Sequence, residues 1–496
     1  GDKDAGAAFW KYKDVEPPVD YVNSMEDENI AQAIPNARAS QWMEENIPLF
    51  ECSQKNFEEM YYYRWWTLRK HIKETPVGYG MTEFLVNRSY ADKYNLIACA
   101  IGHHIYESRW LRNPEYLNQI IHTWYRGNEG GPMAKMTKFS SWNADAVLGR
   151  YMVDGNKEFL LDMVKDLEAE YARWEKTNRL SNGLYWQGDV QDGMEESISG
   201  GRRKQYARPT INSYMYGNAK ALSLIGIMTG DEGMAMKYGL KADSIKTLVQ
   251  DKLWNTDHHF FETMRGDASA EVREAIGYIP WYFNLPDASS QYDVAWKEVM
   301  DEKGFSAPYG LTTAERRHPE FRTHGVGKCE WDGAIWPFAS AQTLTAMANF
   351  MNNYPQTVLT DSVYFHHMER YVESQHHRGR PYIGEYLDEV TGYWLKGDQE
   401  RSRYYNHSTF NDLMITGLIG LRPRMDNTVE VNPLIPEGKW DYFCLDNVLY
   451  HGRNLTILWD KDGSRYQRGK GLHIYVDGKE VGHADTLTRV LCENVL

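Results

Sequence analysis

The chain has 496 residues and a formal net charge of −14 at pH 7. This length suffices for two to four average domains, or for one large repeat-built barrel with an appendage. The negative balance disfavours nucleic acid and anionic membranes as partners, because both would repel the protein as a whole.

The cysteines and the apolar runs argue against a disulfide-stabilised protein, a metal site and a membrane span. Five cysteines are scattered without a CxxC pair and without histidines at zinc-type spacing, so neither a disulfide framework nor a metal site is expected. No apolar run reaches the length of a membrane span. The sequence therefore predicts a chain without metal, cofactor or membrane span.

Residues 37–422 show a mostly helical pattern. Apolar residues recur there at three- and four-residue spacing, which predicts about a dozen helices. These helices are predicted at residues 39–46, 56–73, 91–107, 114–125, 140–153, 156–175, 210–228, 230–253, 291–300, 336–352, 357–375 and 406–419.

Long loops rich in Gly, Trp, Tyr, Asp and Glu separate alternate helices. Loops of this length are uncommon in a compact domain unless they have a function. Their recurrence after every second helix predicts a ring of helical hairpins, an (α/α) toroid, with the loops converging at one end. The loops cover residues 126–139, 181–209, 254–290, 303–335 and 376–405.

The pattern changes to short alternating strands after residue 422, with the strands predicted at residues 428–431, 442–445, 454–459 and 472–476. The fold class expected is therefore mainly α: a toroid barrel over 37–422 and a small, β-sandwich-like domain over 423–496. Residues 1–36 are assigned to an N-terminal extension.

Aromatic residues are abundant, with 34 Tyr, 17 Trp and 16 Phe. Flat rings with polar tips suit a wet cleft that binds a sugar through its apolar faces and hydroxyl edges. Burial in a large helical core explains the same composition equally well.

Three stretches combine carboxylates with aromatic rings and glycines, and a fourth, at 61–72, combines an arginine with paired tryptophans. Two carboxylates on opposite faces of a bound sugar are sufficient for glycosidic hydrolysis, one donating a proton and the other acting on the far face. The stretches hold Trp186, Asp189, Asp192, Glu195 and Glu196; Glu385, Tyr386 and Asp388; Glu330, Trp331, Asp332 and Trp336; and Arg64 with Trp65.

These stretches resemble the ordered motifs of the (α/α)6-barrel glycoside hydrolases. The matching segments are GME at 193–195, WDGAIWP at 331–337, EYLDEVTG at 385–392 and YYNHSTFNDLM at 404–414. That group includes the family-63 processing α-glucosidases and mannosylglycerate hydrolases and, more distantly, the trehalases. The resemblance covers roughly residues 56–420.

The resemblance implies roles for individual residues. Glu195 stands where the relatives carry an aspartate general acid, with Asp192 as its competitor, and Glu385 aligns on their general base. The implied reaction is hydrolysis of a glycosidic bond with inversion. The implied substrate-binding residues are Arg64, Trp65, Trp186, Glu330, Trp331, Asp332, Trp336 and Tyr386.

Several alternatives stay open at this stage. Asp332 stands where the family-63 enzymes usually carry arginine, which leaves the sugar unidentified and admits a β-L-arabinofuranosidase-like member of the same superfamily. A carbohydrate-binding protein without catalysis is the rival of another class, and Glu330 and Asp332 could simply favour a helix N-terminus. Similarity to bacterial glycan-degrading enzymes implies a periplasmic or secreted protein.

Overall fold

The computed structural model describes Val19, Val22, Asn23 and residues 26–496. Much of the predicted N-terminal extension, residues 1–36, therefore lies outside the described residues. The described part is rich in helix up to residue 418 and rich in strand beyond it. Its α-helices are α1 Ala39–Asn46, α2 Lys55–Lys70, α3 Ile101–Ser108, α4 Glu115–Arg126, α5 Asn143–Asp154, α6 Lys157–Asp162, α7 Val164–Asn178, α8 Pro209–Thr229, α9 Glu232–Leu248, α10 Ile279–Tyr282, α11 Ser290–Asp293, α12 Pro337–Asn353, α13 Asp361–Ser374 and α14 Phe410–Leu413.

The helix ends follow local signals in the sequence. Helix α8 begins with Pro209, whose missing N–H costs nothing in the first turn, and it ends at Gly230, which takes the left-handed conformation with φ 73°. The Asp231 side chain then accepts a hydrogen bond from the Met234 amide and starts α9. The sequence therefore places this turn correctly.

Some predicted helices are shorter or divided. The segment predicted at 91–107 becomes helical only at Ile101, after two short 3-10 turns. The segment predicted at 156–175 divides into α6 and α7 around Met163. The short helix α10 was not predicted, because four residues inside a long loop carry too little periodicity to be recognised.

Helices α8 and α9 form the most extensive helix pair. They approach closely at Gly226, where an added Cβ would lie 2.6 Å from the Ala235 amide nitrogen. Helix α8 also packs on α5, and α12 packs on α10. Adjacent helices therefore bury their apolar faces against one another.

The strands form a large sheet near the C-terminus and several small ones in the loops. They are β1 Leu49–Cys52, β2 Ile72–Thr75, β3 Gly78–Met81, β4 Trp186–Gln187, β5 Tyr206–Ala207, β6 Trp254–Asn255, β7 Phe260–Phe261, β8 Met264–Arg265, β9 Ala268–Ser269, β10 Ser306–Ala307, β11 Gly310–Leu311, β12 His376–His377, β13 Arg380–Pro381, β14 Leu421–Arg422, β15 Val429–Val431, β16 Tyr442–Tyr450, β17 Arg453–Asp460, β18 Gly471–Val476, β19 Lys479–Ala484 and β20 Val490–Cys492.

The largest sheet has five antiparallel strands in the order β1-β16-β17-β18-β19. Strands β14, β15 and β20 form a second, three-stranded sheet. Strand β1 comes from the N-terminal part of the chain, and Leu49 pairs with Asp446. The predicted domain boundary at 423 therefore divides this sheet, because β1 precedes it in the sequence and β16 to β19 follow it. The four residues of β1 were too few to be recognised as a strand.

The helices and the large sheet share one apolar core. Trp440, which precedes β16, lies 5.1 Å from the Phe57 ring of α2 and 5.8 Å from the Phe365 ring of α13. All three side chains are buried in the same cluster. Across the part of the chain that the structure describes, no helix has both the length and the apolar character needed to cross a bilayer.

Candidate active site

A cavity of about 510 Å³ opens where the segments that precede α3, α5, α8, α12 and α14 meet. Four carboxylic acids line it: Glu83, Glu195, Glu196 and Glu385. Of these, Glu196 pairs with Lys328 at 3.6 Å. Rings of Trp336 and His407 form part of its wall. The two loops predicted to carry the catalytic acids, about 190 residues apart in the sequence, therefore meet in one cavity.

Glu195 lies just after a tight turn. The short 3-10 turn Val190–Asp192 ends at Gly193, whose φ of 72° suits glycine, and the Met194 amide donates to the Asp189 carbonyl. The Glu195 side chain is half-buried. Burial, together with the charges of Glu385 and Asp189, raises the pKa of Glu195 to about 7. A large share of Glu195 is therefore protonated at neutral pH.

Glu385 lies in its predicted segment, EYLDEVTG, and contacts with neighbouring residues hold this segment in place. Leu387 pairs with Ile335 and with Trp394, and the Tyr386 ring stacks on Trp336 with ring centres 4.4 Å apart. The Ser402 hydroxyl donates a hydrogen bond of 2.9 Å to Glu385 Oε1.

The charge around Glu385 differs from that around Glu195. Burial raises the pKa of Glu385, but the charges of Lys396, Arg401 and Arg88 and the bond from Ser402 oppose that rise. The nearby cations favour the ionised form of Glu385, whereas nearby acids favour the protonated form of Glu195. Burial raises the pKa of both carboxyls, and the cations beside Glu385 make its environment the more favourable of the two for an ionised base.

Glu83 is a further acid in the cavity, and the sequence analysis missed it. It follows β3 within the apolar stretch MTEFLV, where a single acid without flanking glycines gives no recognisable signal. Its carboxyl accepts a hydrogen bond of 3.4 Å from the Cys99 thiol. Burial, with the charges of Glu385 and Glu195, raises the pKa of Glu83 to about 8.

Asp192 occupies a different environment from Glu195. Its carboxylate lies 2.7 Å from Arg208 Nε and also accepts hydrogen bonds from the Ser140 and Thr210 hydroxyls. Both of its oxygens are thus occupied, and Asp192 is absent from the cavity wall. This placement favours a structural role, in which Asp192 fixes the loop that carries Glu195.

Of the eight predicted substrate-binding residues, Trp336 alone lines the cavity. Tyr386 stacks behind it, and its hydroxyl donates to the Lys328 carbonyl. Arg64 is buried in an ion pair of 3.0 Å with Glu107, and Trp65 is fully buried in the core. The structure therefore places Arg64 and Trp65 away from the cavity, since a ring-rich helix directs them inward.

The other predicted contacts shape the loops around the cavity. Trp331 stacks on Trp336 at 4.7 Å, and Glu330 pairs with Arg322 at 3.0 Å. The Asp332 carboxylate accepts hydrogen bonds from the backbone amides of His324 and Gly325, and Trp186 lies in the short strand β4. None of these four residues lines the cavity.

His407 also faces the cavity, although the sequence analysis did not select it as a site residue. Its Nε2 is buried without a hydrogen-bond partner among the described residues, and its ring lies 3.8 Å from that of Tyr405. Burial lowers the pKa of His407 well below its usual value, so the ring is neutral. His407 can therefore hydrogen-bond a sugar hydroxyl without carrying charge.

One cluster among the described residues has ligand atoms close enough for a metal ion: His258, Glu262 and Glu271. The two ring nitrogens of His258 face different carboxylates, Nδ1 at 2.7 Å from Glu262 and Nε2 at 3.1 Å from Glu271. Because one ion cannot bind both nitrogens of one ring, this arrangement suits ion pairing better than metal binding. None of the three residues lines the cavity.

Comparison with solved structures shows what this fold is similar to. A structure named "Sialidase" is 82% identical with a TM-score of 0.99; the match covers 100% of this chain and 46% of that one, so this chain spans less than half of that protein. The family-63 mannosylglycerate hydrolase from Thermus thermophilus in complex with glucose is 12% identical with a TM-score of 0.53 over 72% of this chain and 99% of that one. The family-78 rhamnosidase of Bacillus sp. GL1 is 11% identical with a TM-score of 0.57 over 83% of this chain and 40% of that one.

Two family models match the sequence. The C-terminal domain of glycosyl hydrolase family 65 matches residues 421–483, which include strands β16, β17 and β18 of the large sheet and most of β19. The mannosylglycerate hydrolase MGH1-like glycoside hydrolase domain matches residues 93–408, more than half of the chain. That match includes the loops that carry Glu195 and Glu385, so the chain belongs to the MGH1-like glycoside hydrolase family.

Proposed function

We propose that the chain hydrolyses a glycosidic bond by a single displacement that inverts the anomeric configuration. One observation carries the proposal: Glu195 and Glu385 line the same cavity, and only Glu385 has three cations that oppose the rise in pKa caused by burial. One acid and one base acting from opposite sides of a sugar are the requirements of inverting hydrolysis.

Glu195 acts as the general acid and Glu385 as the general base. The Glu195 carboxyl gives its proton to the glycosidic oxygen as the bond from that oxygen to the anomeric carbon breaks. Glu385 takes a proton from a water molecule whose oxygen attacks the anomeric carbon from the opposite face. Proton exchange with solvent then restores both carboxyls, and the released sugar has the opposite configuration.

Glu83 has a supporting role in this scheme. Its pKa of about 8 keeps it mostly protonated at neutral pH, so it can donate a hydrogen bond to a substrate oxygen. Glu83 is 2% exposed and is already bonded to Cys99, whereas Glu195 is half-buried at the cavity wall. Glu195 is therefore better placed than Glu83 to reach a leaving group that must depart through the opening.

The toroid architecture belongs to the same proposal. A second cavity, of about 580 Å³, is lined by residues from α3, α5, α8, α10, α12 and α14, and by Lys246 of α9. One or two helices separate each of the first six from the next along the chain, as expected for the inner ring of an (α/α)6 barrel. The catalytic cavity lies at the N-terminal ends of five of these same helices, which suits loops that converge at one mouth of the ring.

Proton NMR of the first product formed from aryl pyranosides and furanosides tests the proposal. We expect an anomeric proton of inverted configuration at early times, with turnover lost in Glu385→Gln and strongly reduced in Glu195→Gln. A product of retained configuration would contradict the single displacement. Binding without any turnover by the wild-type protein would contradict catalysis itself.

A further inference from the structure

Five cations line the catalytic cavity without an ion pair to any described residue: Arg88, Lys138, Arg202, Lys396 and Arg401. Three of them, Arg88, Lys396 and Arg401, act directly on Glu385. Within the described residues, none of the ion pairs at or below 4.0 Å involves any of the five, whereas Lys328 at the same cavity pairs with Glu196 at 3.6 Å. The three side chains that act on Glu385 are referred to below as the cation cluster.

Each member of the cation cluster is at least partly enclosed. Lys396 is 9% exposed, and its ammonium lies 5.7 Å from the centre of the Tyr386 ring. Arg88 Nε is buried without a hydrogen-bond partner, and Arg401 Nε donates to the neutral Gln399 side chain at 2.9 Å. Enclosing an unpaired cation costs free energy unless an anion compensates it.

The carboxylates of the cavity do not compensate the cluster. All three cations act on Glu385 and lower its pKa, which places them on the Glu385 side of the cavity. Glu385 can contribute one negative charge against three positive ones, and Glu196 at the same cavity pairs with Lys328 instead. Glu83, with a pKa of about 8, and Glu195, with a pKa of about 7, are largely protonated at neutral pH.

The local charge is opposite to that of the molecule. The whole chain carries −14, yet the Glu385 side of the cavity has a positive excess. Arginine presents a planar fork of donors that matches a carboxylate or a sulfate, and lysine adds a point charge. A neutral sugar would leave these donors without the partner that their geometry and enclosure suit.

We propose that the substrate is an acidic glycan, whose carboxylate or sulfate group binds Arg88, Lys396 and Arg401 beside the bond that is cleaved. This inference rests on the proposed hydrolase function and names its substrate class. The same cations also oppose the rise in the pKa of Glu385 that burial causes, so the anionic group of the substrate and the catalytic base share one electrostatic environment.

Hydrolysis of matched glycans tests this inference. The substrates are oligosaccharides that contain glucuronate, galacturonate or N-acetylneuraminate, each with its carboxyl-reduced counterpart, and sulfated oligosaccharides with their desulfated counterparts. We expect the wild-type kcat/KM to be about 10- to 100-fold higher for the acidic member of one pair, which is the range for a hydrogen-bonded charge. The pair that shows this preference indicates whether the group bound by the cation cluster is a carboxylate or a sulfate.

Variants assign the preference to the cation cluster. Arg88→Gln, Lys396→Gln and Arg401→Gln should each reduce the preference mainly by raising KM for the acidic substrate. Lys328→Gln is the matched control, since that exposed lysine already has a carboxylate partner, and it should keep the preference.

Two results would overturn the inference while leaving the hydrolase intact. One is equal kcat/KM for acidic and neutral members of every pair. The other is an equal loss of kcat on both members in the three variants, which would mean that the cations serve Glu385 alone. If no glycan is turned over, the hydrolase proposal fails, and calorimetric binding of the same pairs decides this inference: selective binding of acidic glycans supports it, and equal or absent binding overturns it.

Discussion

Asp192 and Arg208 form an ion pair of 2.7 Å in which neither side chain is reached by solvent. Arg208 immediately precedes α8, and Asp192 lies three residues before Glu195. The pair therefore ties the loop of the proposed acid to the start of the longest helix of the described structure. Its consequences for stability and for catalysis can be separated by experiment.

We expect Asp192→Asn to lower the free energy of unfolding by about 3–5 kcal/mol, because it leaves a buried guanidinium without its counter-charge. Urea denaturation measures this loss. Asp441→Asn is the matched control, since its pair with Lys461 is exposed on both sides and should change stability by less than about 1 kcal/mol. Equal effects in the two variants would contradict the structural role of Asp192.

Glu195→Gln should lower kcat by about 10²- to 10⁴-fold on substrates with poor leaving groups, because no proton reaches the departing oxygen. Aryl glycosides whose phenol is strongly acidic need no such proton, so most of the activity should return on them. Glu196→Gln is the control on the same loop, since Glu196 pairs with Lys328 instead. The same loss for every leaving group would argue against Glu195 as the acid.

Glu385→Gln should abolish turnover for all leaving groups alike, because activation of water does not depend on the departing oxygen. Substrate binding measured by calorimetry should persist in this variant. Ser402→Ala removes only the hydrogen bond to Glu385 Oε1 and should give a smaller loss in kcat. A leaving-group dependence in Glu385→Gln would exchange the roles assigned to the two acids.

The pH profile of kcat/KM should fall as pH rises through about 7, because the protonated form of Glu195, with a pKa of about 7, is lost there. This fall in kcat/KM on the alkaline side should disappear in Glu195→Gln when a substrate with an acidic phenol is used. A fall near pH 8 that disappears in Glu83→Gln would instead identify Glu83 as the proton donor.

The raised pKa of Glu83 also predicts how the stability of the protein depends on pH. Its pKa in the folded protein, about 8, lies above the value of 4.5 for a free side chain, so folding takes up a proton between these pH values. The contribution of Glu83 to stability is therefore most favourable below about pH 4.5 and declines as pH rises towards 8. We expect Glu83→Gln to reduce this decline, as measured by thermal unfolding from pH 5 to pH 8. An unchanged pH dependence would show that Glu83 ionises freely in the folded state.

The sequence predicted the helical region, the C-terminal strands and the two acidic loops because each has a local signal. Helix α8, for example, is framed by Pro209 and Gly230, and Glu385 lies in an extended motif that resembles known hydrolases. Each of these predictions rested on residues that lie close together in the sequence.

The features that the sequence analysis missed depend on contacts between distant residues. Glu83 and Cys99 acquire their roles only when 16 residues of chain fold back on each other. The inward direction of Arg64 depends on Glu107, and the cation cluster is recognisable only after Arg88 is brought to Lys396. Such pairs leave no periodic pattern in the sequence.

Strand β1 has a consequence for dissecting the molecule. Because Leu49–Cys52 pairs with β16, the edge of the five-stranded sheet is made almost 400 residues before its neighbour. A fragment ending near residue 422 would expose the unpaired backbone of β1 and would separate Glu51 from Arg465, its partner at 2.9 Å. The helical region is thus expected to aggregate when produced alone, whereas supplying residues 423–496 as a separate chain should restore its solubility by providing the missing strands.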